Sequence, residues 1–507
     1  MGVLSIAAFA WLQWSRAAPR RPNVLVIVWD TVRADRTSLH GHSRPTTPRL
    51  EQFARGATMF EQARSPGIWT LPSHAAMFTG LPPQTTGADE RWLWLDGHHH
   101  TLAEHFSSHG YATFSMAANA LLCRETNLVQ GFRATRTTYR GAPAAAARQA
   151  TRAKRIAGDR SHELTPDWRP PAHGATNAEW ARAEFKDAAP LIGDVFLRWL
   201  DERPDPEAPF FAFLNLMEAH TPRMPSAAAR SAVIGDPGLI ARGLDTDASH
   251  IRLHFYNFGV ERITAPEVEA IRAVYDATLH DLDTATGVLL DALTDRGDLV
   301  DTIVVITSDH GESLGEHHLF NHRFALWDTL THVPLVIRLP GRTPGRVSAP
   351  VGTIDLFATL SRAAGLPVPP DIVSGDLFGE PSPVVTTMEL PLRREIATVS
   401  AVHPEVESAP WLRTGDALVV GSHKLIDWST GERELYDLLA DPQESAPVVD
   451  PDRTARLVAQ LAAWRLGVRP PDPTLRGPKD RPARVRANQE ELRAHLEALG
   501  YATGAAD

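Results

Sequence analysis

The sequence predicts an α/β fold: a large, mostly parallel sheet sandwiched by helices, with a smaller C-terminal α+β domain. Three features carry that reading. The runs Val24-Leu25-Val26-Ile27-Val28-Trp29, Val304-Val305-Ile306 and Leu335-Val336-Ile337 show no polar alternation, which marks strands buried on both faces. Helical patterns at residues 48–57, 101–109 and 270–295 fall between such runs, and that alternation builds a parallel sheet with helices on both sides. Beyond Trp411 the pattern shifts to short strands at residues 417–420, 424–427 and 434–438, with a turn at Ser429-Thr430-Gly431.

The elements divide into four segments. Residues 1–21 hold a short apolar stretch, 3–14, followed by Ser15-Arg16-Ala17; it is shorter than the roughly 20 residues of a spanning helix, and fits a signal, an anchor or a displaced start. Residues 22–390 form the large domain, interrupted near 141–171 by an Ala/Arg/Pro-rich insertion without apolar periodicity. Residues 400–470 form the small sheet domain, and 471–507 a Pro/Arg-rich tail with an amphipathic helix at 488–499. With 507 residues, 43% of them hydrophobic, the chain supports more than one core, because single cores stop growing near about 250–300 residues. A net charge of −10 argues against nucleic acid as a partner. The single cysteine, Cys123, excludes an internal disulfide, leaves the compartment open, and reads as a small buried hydrophobe.

Carboxylates stand where ligands gather in such sheets, outside the carboxyl ends of strands: Asp30 closes the first apolar run and Asp309-His310 the one at 304–308. The stretch Thr70-Leu71-Pro72-Ser73-His74, with Thr79-Gly80 after it, resembles the signature of the sulfatases, in which a Cys, any residue, Pro, Ser and Arg open a helix. Further landmarks of that family follow in order: Glu218-Ala219-His220-Thr221-Pro222, Ser308-Asp309-His310-Gly311-Glu312, Gly315-Glu316-His317 leading to His322, Val333-Pro334-Leu335, and Ile354-Asp355-Leu356. The resemblance covers most of the chain and implies an alkaline phosphatase/sulfatase-like fold and a metal-dependent hydrolase of anionic esters.

Two departures change the expected chemistry. Sulfatases oxidise their Cys, or a Ser, to formylglycine; Thr70 carries a methyl group on its β-carbon, so no formylglycine is expected. Thr70 then becomes the candidate nucleophile and a ligand of one divalent ion held by Asp30, Asp309 and His310. Threonine has this role in related nucleotide phosphodiesterases and lipoteichoic acid synthases, and the bland alternative is a helix cap. Thr31 and His310 stand where many sulfatases keep a second Asp and an Asn; fewer carboxylates and an imidazole favour manganese or zinc, with calcium possible. The second departure follows Gly110-Tyr111-Ala112-Thr113, where the sulfate-gripping Lys of relatives is absent and Asn119 offers an amide to substrate.

The resemblance also assigns His74 to a bond with the Thr70 oxygen or with a substrate oxygen, His220 and His322 to the leaving group as general acids, and Arg323 to an anionic substrate oxygen. The resulting expectation is a small anionic ester as substrate, phosphate mono- or diester favoured over sulfate ester, with phosphotransfer as a variant. A sulfuric ester hydrolase without formylglycine and a silent protein binding an anionic glycan or lipid are the alternatives. The organic half of the substrate is not encoded in loop composition.

Overall fold

The large sheet is built from β1 (Asn23–Trp29), β2 (Thr58–Phe60), β3 (Ala112–Ala117), β4 (Ala134–Thr137), β5 (Phe210–Leu216), β6 (Thr302–Ser308), β7 (Leu335–Arg338) and β8 (Gly345–Val347). Their spatial order is β8-β2-β7-β6-β1-β5-β3-β4. The computed structural model describes residues 20–140, 186–248, 250–389, 393–472 and 474. The apolar N-terminal stretch, the expected insertion at 141–171 and the helix expected at 488–499 lie outside the described residues.

β1 is the centre of the sheet, paired in parallel with β5 on one side and β6 on the other. Its residues Val24 to Trp29 are buried on both faces, as the unbroken apolar run requires. β7 runs antiparallel to both β6 and β2, so the sheet is mixed with one reversed strand. The apolar run at 335–337 could not reveal that reversal, because burial on both faces looks the same in either direction.

Helices α1 (Pro48–Ala54), α2 (Thr70–Thr79), α3 (Leu102–Ser108), α4 (Ala189–Glu202), α5 (Ala265–Asp295) and α6 (Leu356–Ala363) flank the sheet. α5 begins five residues before the expected position 270, since Pro266 sits in the first turn, where its missing N–H costs nothing, behind a capping box of Thr264 and Glu267. α3 is capped the same way by Thr101 and Glu104.

The small sheet is antiparallel, β9 (Val384–Met388), β10 (Gly415–Val420), β11 (His423–Trp428) and β12 (Arg433–Asp437), followed by α7 (Pro451–Gly467). β9 pairs with β10, not with the large sheet, so this sheet starts before the expected boundary at residue 390. Its faces alternate: Leu418, Leu425 and Leu435 meet Leu457 and Leu461 of α7, while Ala417, Ile426 and Tyr436 join Ile68, Leu319 and Leu330 of the large domain. Thus the small sheet buttresses the segments entering α2 and preceding β7. Cys123 is buried, as expected. No described helix is long and apolar enough to cross a membrane.

Candidate active site and metal centre

Register brings the site together. Trp29 of β1 pairs with Ser308 of β6, so the next residues, Asp30 and Asp309, leave adjacent strands side by side. On the other flank Trp29 pairs with Leu216, and Ala117 of β3 with Asn215, which delivers the loops carrying His220 and Asn119 to the same edge. Candidate ligand atoms of Asp30, Asp309 and His310 lie within 4.8 Å of one another, all fully buried.

These donors fit a divalent cation. Asp30 Oδ1, Asp309 Oδ2 and His310 Nε2 are buried without a hydrogen-bond partner among the described residues. His310 Nδ1 lies 2.9 Å from the Gly311 carbonyl; a carbonyl can only accept, so Nδ1 carries the proton and Nε2 presents its lone pair. Gly311 is required there, since a Cβ would come within 2.1 Å of the Thr329 carbonyl oxygen. Burial and the neighbouring Asp309 charge push the Asp30 carboxyl up to about 7. Burial also pushes Asp309 up to about 7. Carboxylates crowded away from water resist ionisation, and a cation between them reverses the penalty.

α2 starts at Thr70, with Trp69 in the cap position. Thr70 Oγ1 accepts from Asn119 Nδ2 at 3.1 Å, and the same nitrogen donates to Asp30 Oδ2 at 2.8 Å. The hydroxyl is therefore joined through this amide to the Asp30 carboxylate instead of capping its helix. Asn119, expected to meet substrate, is occupied with Thr70 and Asp30, and its own backbone N–H is held by Asn215 Oδ1 at 3.0 Å. His74 bonds the Thr70 backbone carbonyl at 2.8 Å through Nδ1, not its hydroxyl, and lies 3.5 Å from Asp309 Oδ2. Burial drives its imidazole down to about 3, so His74 is neutral.

His322 and His220 approach from the opposite wall. Their ring centroids are 5.1 Å apart, and His322 is 4.6 Å from His310. His322 Nδ1 is 3.1 Å from Glu312 Oε1, and Glu312 Oε2 accepts from Arg223 Nη2 at 2.7 Å. Arg223 in turn bonds Asp247. His220 Nδ1 is 2.6 Å from the Thr221 carbonyl. Burial, then the charge of Lys186 and then His322, hold His220 well below the usual histidine range, so it stands as a neutral acceptor rather than a proton-bearing acid. Burial raises the Glu312 carboxyl above the usual carboxylate range, and the charges of Arg223, His310 and the buried Arg323 only partly offset it.

Several participants escaped the sequence reading. Lys186 bonds the carbonyls of Met217, His220 and Thr221, caging the loop that carries His220, and burial brings its ammonium down to about 7. Nothing in its sequence surroundings marks it. Asn215 did leave a signal, a polar residue inside the buried run Phe-Phe-Ala-Phe-Leu-Asn-Leu.

The family model described as Sulfatase matches residues 22–366, more than half of the chain. The chain belongs to the sulfatase family. This places it in the alkaline phosphatase superfamily, among metal-dependent ester hydrolases. A second model, N-sulphoglucosamine sulphohydrolase, C-terminal, matches residues 315–466 and so includes the small sheet. Arylsulfatase K of Xenopus laevis is 24% identical over 456 residues, 84% of this chain and 79% of that protein. A sulfatase of Formosa agariphila is 24% identical, over 84% and 82% of the two chains. Among solved structures, the phosphonate monoester hydrolase of Agrobacterium radiobacter superposes with a TM-score of 0.67 at 23% identity, over 88% and 95% of the two chains. A protein solved with its substrate D-glucosamine-2-N,6-O-disulfate gives 0.62 at 19% identity, over 88% and 96%. These structural likenesses establish the fold.

Proposed function

We propose that this sulfatase-family enzyme hydrolyses phosphate mono- or diesters with the Thr70 hydroxyl as nucleophile, at the position where sulfatases keep formylglycine. The observation that carries this reading is the Asn119 amide, which bonds both Thr70 Oγ1 and Asp30. Because Asn119 donates, the Thr70 proton must point elsewhere, and the oxygen is held near the Asp30 carboxylate by the shared amide. Asp30, Asp309, His310 and Thr70 would hold one divalent ion, manganese or zinc by the donor set, which supplies Lewis acidity to the ester and lowers the pKa of a bound hydroxyl.

The residues then divide the work. Thr70 Oγ gives its proton to solvent and bonds to phosphorus as the bond to the leaving oxygen breaks; attack by water on phosphorus then breaks the Oγ–phosphorus bond, releases the phosphoryl group, and a proton of that water returns to Thr70 Oγ. His74 holds the helix start through the Thr70 carbonyl. With Nδ1 facing Glu312, His322 is oriented by a carboxylate that favours the protonated ring, the form from which a proton can be given up. His322 is therefore the general acid for the leaving oxygen. His220 donates Nδ1–H to the Thr221 carbonyl, so its other nitrogen, Nε2, carries the lone pair and accepts. Arg323 supplies the cation for a non-bridging oxygen.

Phosphorus and sulfur esters both have precedent on this fold, in the phosphonate monoester hydrolase and in the protein bound to a disulfated glucosamine. Threonine favours phosphorus: a sulfo-threonine has no aldehyde hydrate to expel sulfate, whereas a phospho-threonine can be hydrolysed or passed to an alcohol. The second reading, sulfate ester hydrolysis, is supported by the arylsulfatase K relatives.

The test is kcat/KM on bis-p-nitrophenyl phosphate and p-nitrophenyl sulfate with manganese or zinc, wild type against Thr70→Ala. A dominant phosphodiesterase rate falling about a thousandfold, ~4 kcal/mol of transition-state stabilisation, supports Thr70 as nucleophile. A dominant sulfatase rate that survives the substitution overturns it.

A further inference from the structure

The residue directly after Asp30 is conformationally costly. Thr31 is fully buried and has φ 63°, the left-handed region that a β-branched side chain rarely enters. Such strain costs about 1–3 kcal/mol and persists only where surrounding contacts impose it. Here the surrounding contacts are few and specific. Thr31 Oγ1 donates to the Asp30 carbonyl at 2.7 Å, and the Thr31 backbone N–H donates to Asp309 Oδ1 at 3.3 Å. The left-handed turn is therefore what lets one strand end supply Asp30 and also orient Asp309 on the neighbouring strand.

A distant hydroxyl, that of Tyr275, spans this turn. Tyr275, in the middle of α5 and fully buried, donates its O–H to the Thr31 carbonyl at 2.8 Å and accepts the Arg33 N–H at 3.0 Å. It thus bridges both sides of the turn. The ring cannot drift, because the Arg223 guanidinium lies 5.3 Å from its centroid and is itself anchored by Asp247 and Glu312. Ser308 Oγ adds a further clamp, accepting the Val32 N–H at 2.9 Å.

We propose that Tyr275 is a positioning residue of the metal centre: its hydroxyl holds Thr31 left-handed, and through Thr31 it aims Asp30 and Asp309 at the cation. This rests on the reading of Asp30, Asp309 and His310 as a metal site. Groups that orient first ligands typically change metal affinity by 10–100-fold when removed. Tyr275→Phe keeps the ring and deletes only the hydroxyl. Glycine at position 31 pays little for a positive φ, so Thr31→Gly should make the tether dispensable.

The experiment is a manganese titration, by calorimetry or chelator competition, of wild type, Tyr275→Phe, Thr31→Gly and the double variant, with the metal-free melting temperature of each. Tyr275→Phe is expected to weaken manganese binding on the order of 10-fold or more. Thr31→Gly should restore most of that loss in the double variant. Unchanged affinity in Tyr275→Phe, with or without a lower melting temperature, overturns the proposal, as does a loss that Thr31→Gly fails to recover. Absence of manganese and zinc binding in the wild type itself instead overturns the metal-site reading on which the proposal rests.

Discussion

The two walls of the site are held by different physics. On the strand-end wall, Asp30, Asp309 and His310 are placed by sheet register, and the two carboxylates and the imidazole lone pair face one another without a cationic side chain between them among the described residues. On the loop wall, His322 and His220 come from irregular segments, and behind them Glu312 is paired with Arg223, Arg223 with Asp247, and the Lys186 ammonium is held by three carbonyls. The loop holding His322 also contains left-handed Asn321 and Phe324, at φ 68° and 63°. Carboxylates crowded together on rigid strands fit a cation. Compensated charge under strained loops makes a site whose geometry depends on its support. Substitutions should therefore act in opposite ways on the two walls.

The largest effect is expected from Asp309→Asn. It keeps an oxygen for the Thr31 and His310 N–H groups but removes a charge, so activity should fall about a thousandfold and metal affinity should collapse, while the metal-free melting temperature holds or rises. Activity assays, metal titration and calorimetry on one preparation check all three. A metal-free protein destabilised by this change would break the contrast between the walls.

Arg223→Met tests the other wall. Removing the cation leaves Asp247 and Glu312 buried without it, a cost of about 3–5 kcal/mol that denaturant unfolding will read, with or without metal. Next comes Lys186→Met, which strips a donor from the carbonyls of Met217, His220 and Thr221; a loss of about 1–3 kcal/mol and a lower kcat are expected.

The pH dependence sharpens the comparison further. Asp30 and Asp309 both rise from 3.8 to about 7 on folding, so between about pH 4 and 7 the folded metal-free chain keeps protons that the unfolded chain has released. Stability from these groups is thus present below about pH 4 and is lost as pH rises through 7. A cation binds the ionised forms, so the stabilisation that added manganese provides should grow over the same window. Melting temperatures at pH 5 and 7.5, with chelator and with manganese, separate the two trends. Smallest of all is Arg465→Ala in the C-terminal domain: its pairs with Asp416 and Asp427 are partly exposed, so a change of about 0.5 kcal/mol and an unaltered kcat are expected.

Much of the strand-end wall was readable in the residues themselves. A buried strand pattern followed by a carboxylate is a local signal, and Asp30 and Asp309 do follow directly on buried strands. Thr70 was marked by the motif around it. The roles of Asn119 and His74 were less accessible, because whether an amide meets substrate or a neighbouring hydroxyl depends on distances that no local pattern encodes. Pro266 concealed the first turn of α5, and β9 was assigned to the wrong side of a boundary, since a strand's partner is chosen by tertiary pairing.

The sequence by itself determined the family, the layered architecture and the residue types that meet at the strand ends, because hydrophobic period and residue type are local properties. Only the tertiary structure decided that Thr70 shares one amide donor with Asp30, that Glu312 stands behind His322, and that Tyr275 reaches across 244 positions to the Thr31 carbonyl. Hydrogen bonds act over about 3 Å of space whatever the separation along the chain, so folding alone sets which groups meet.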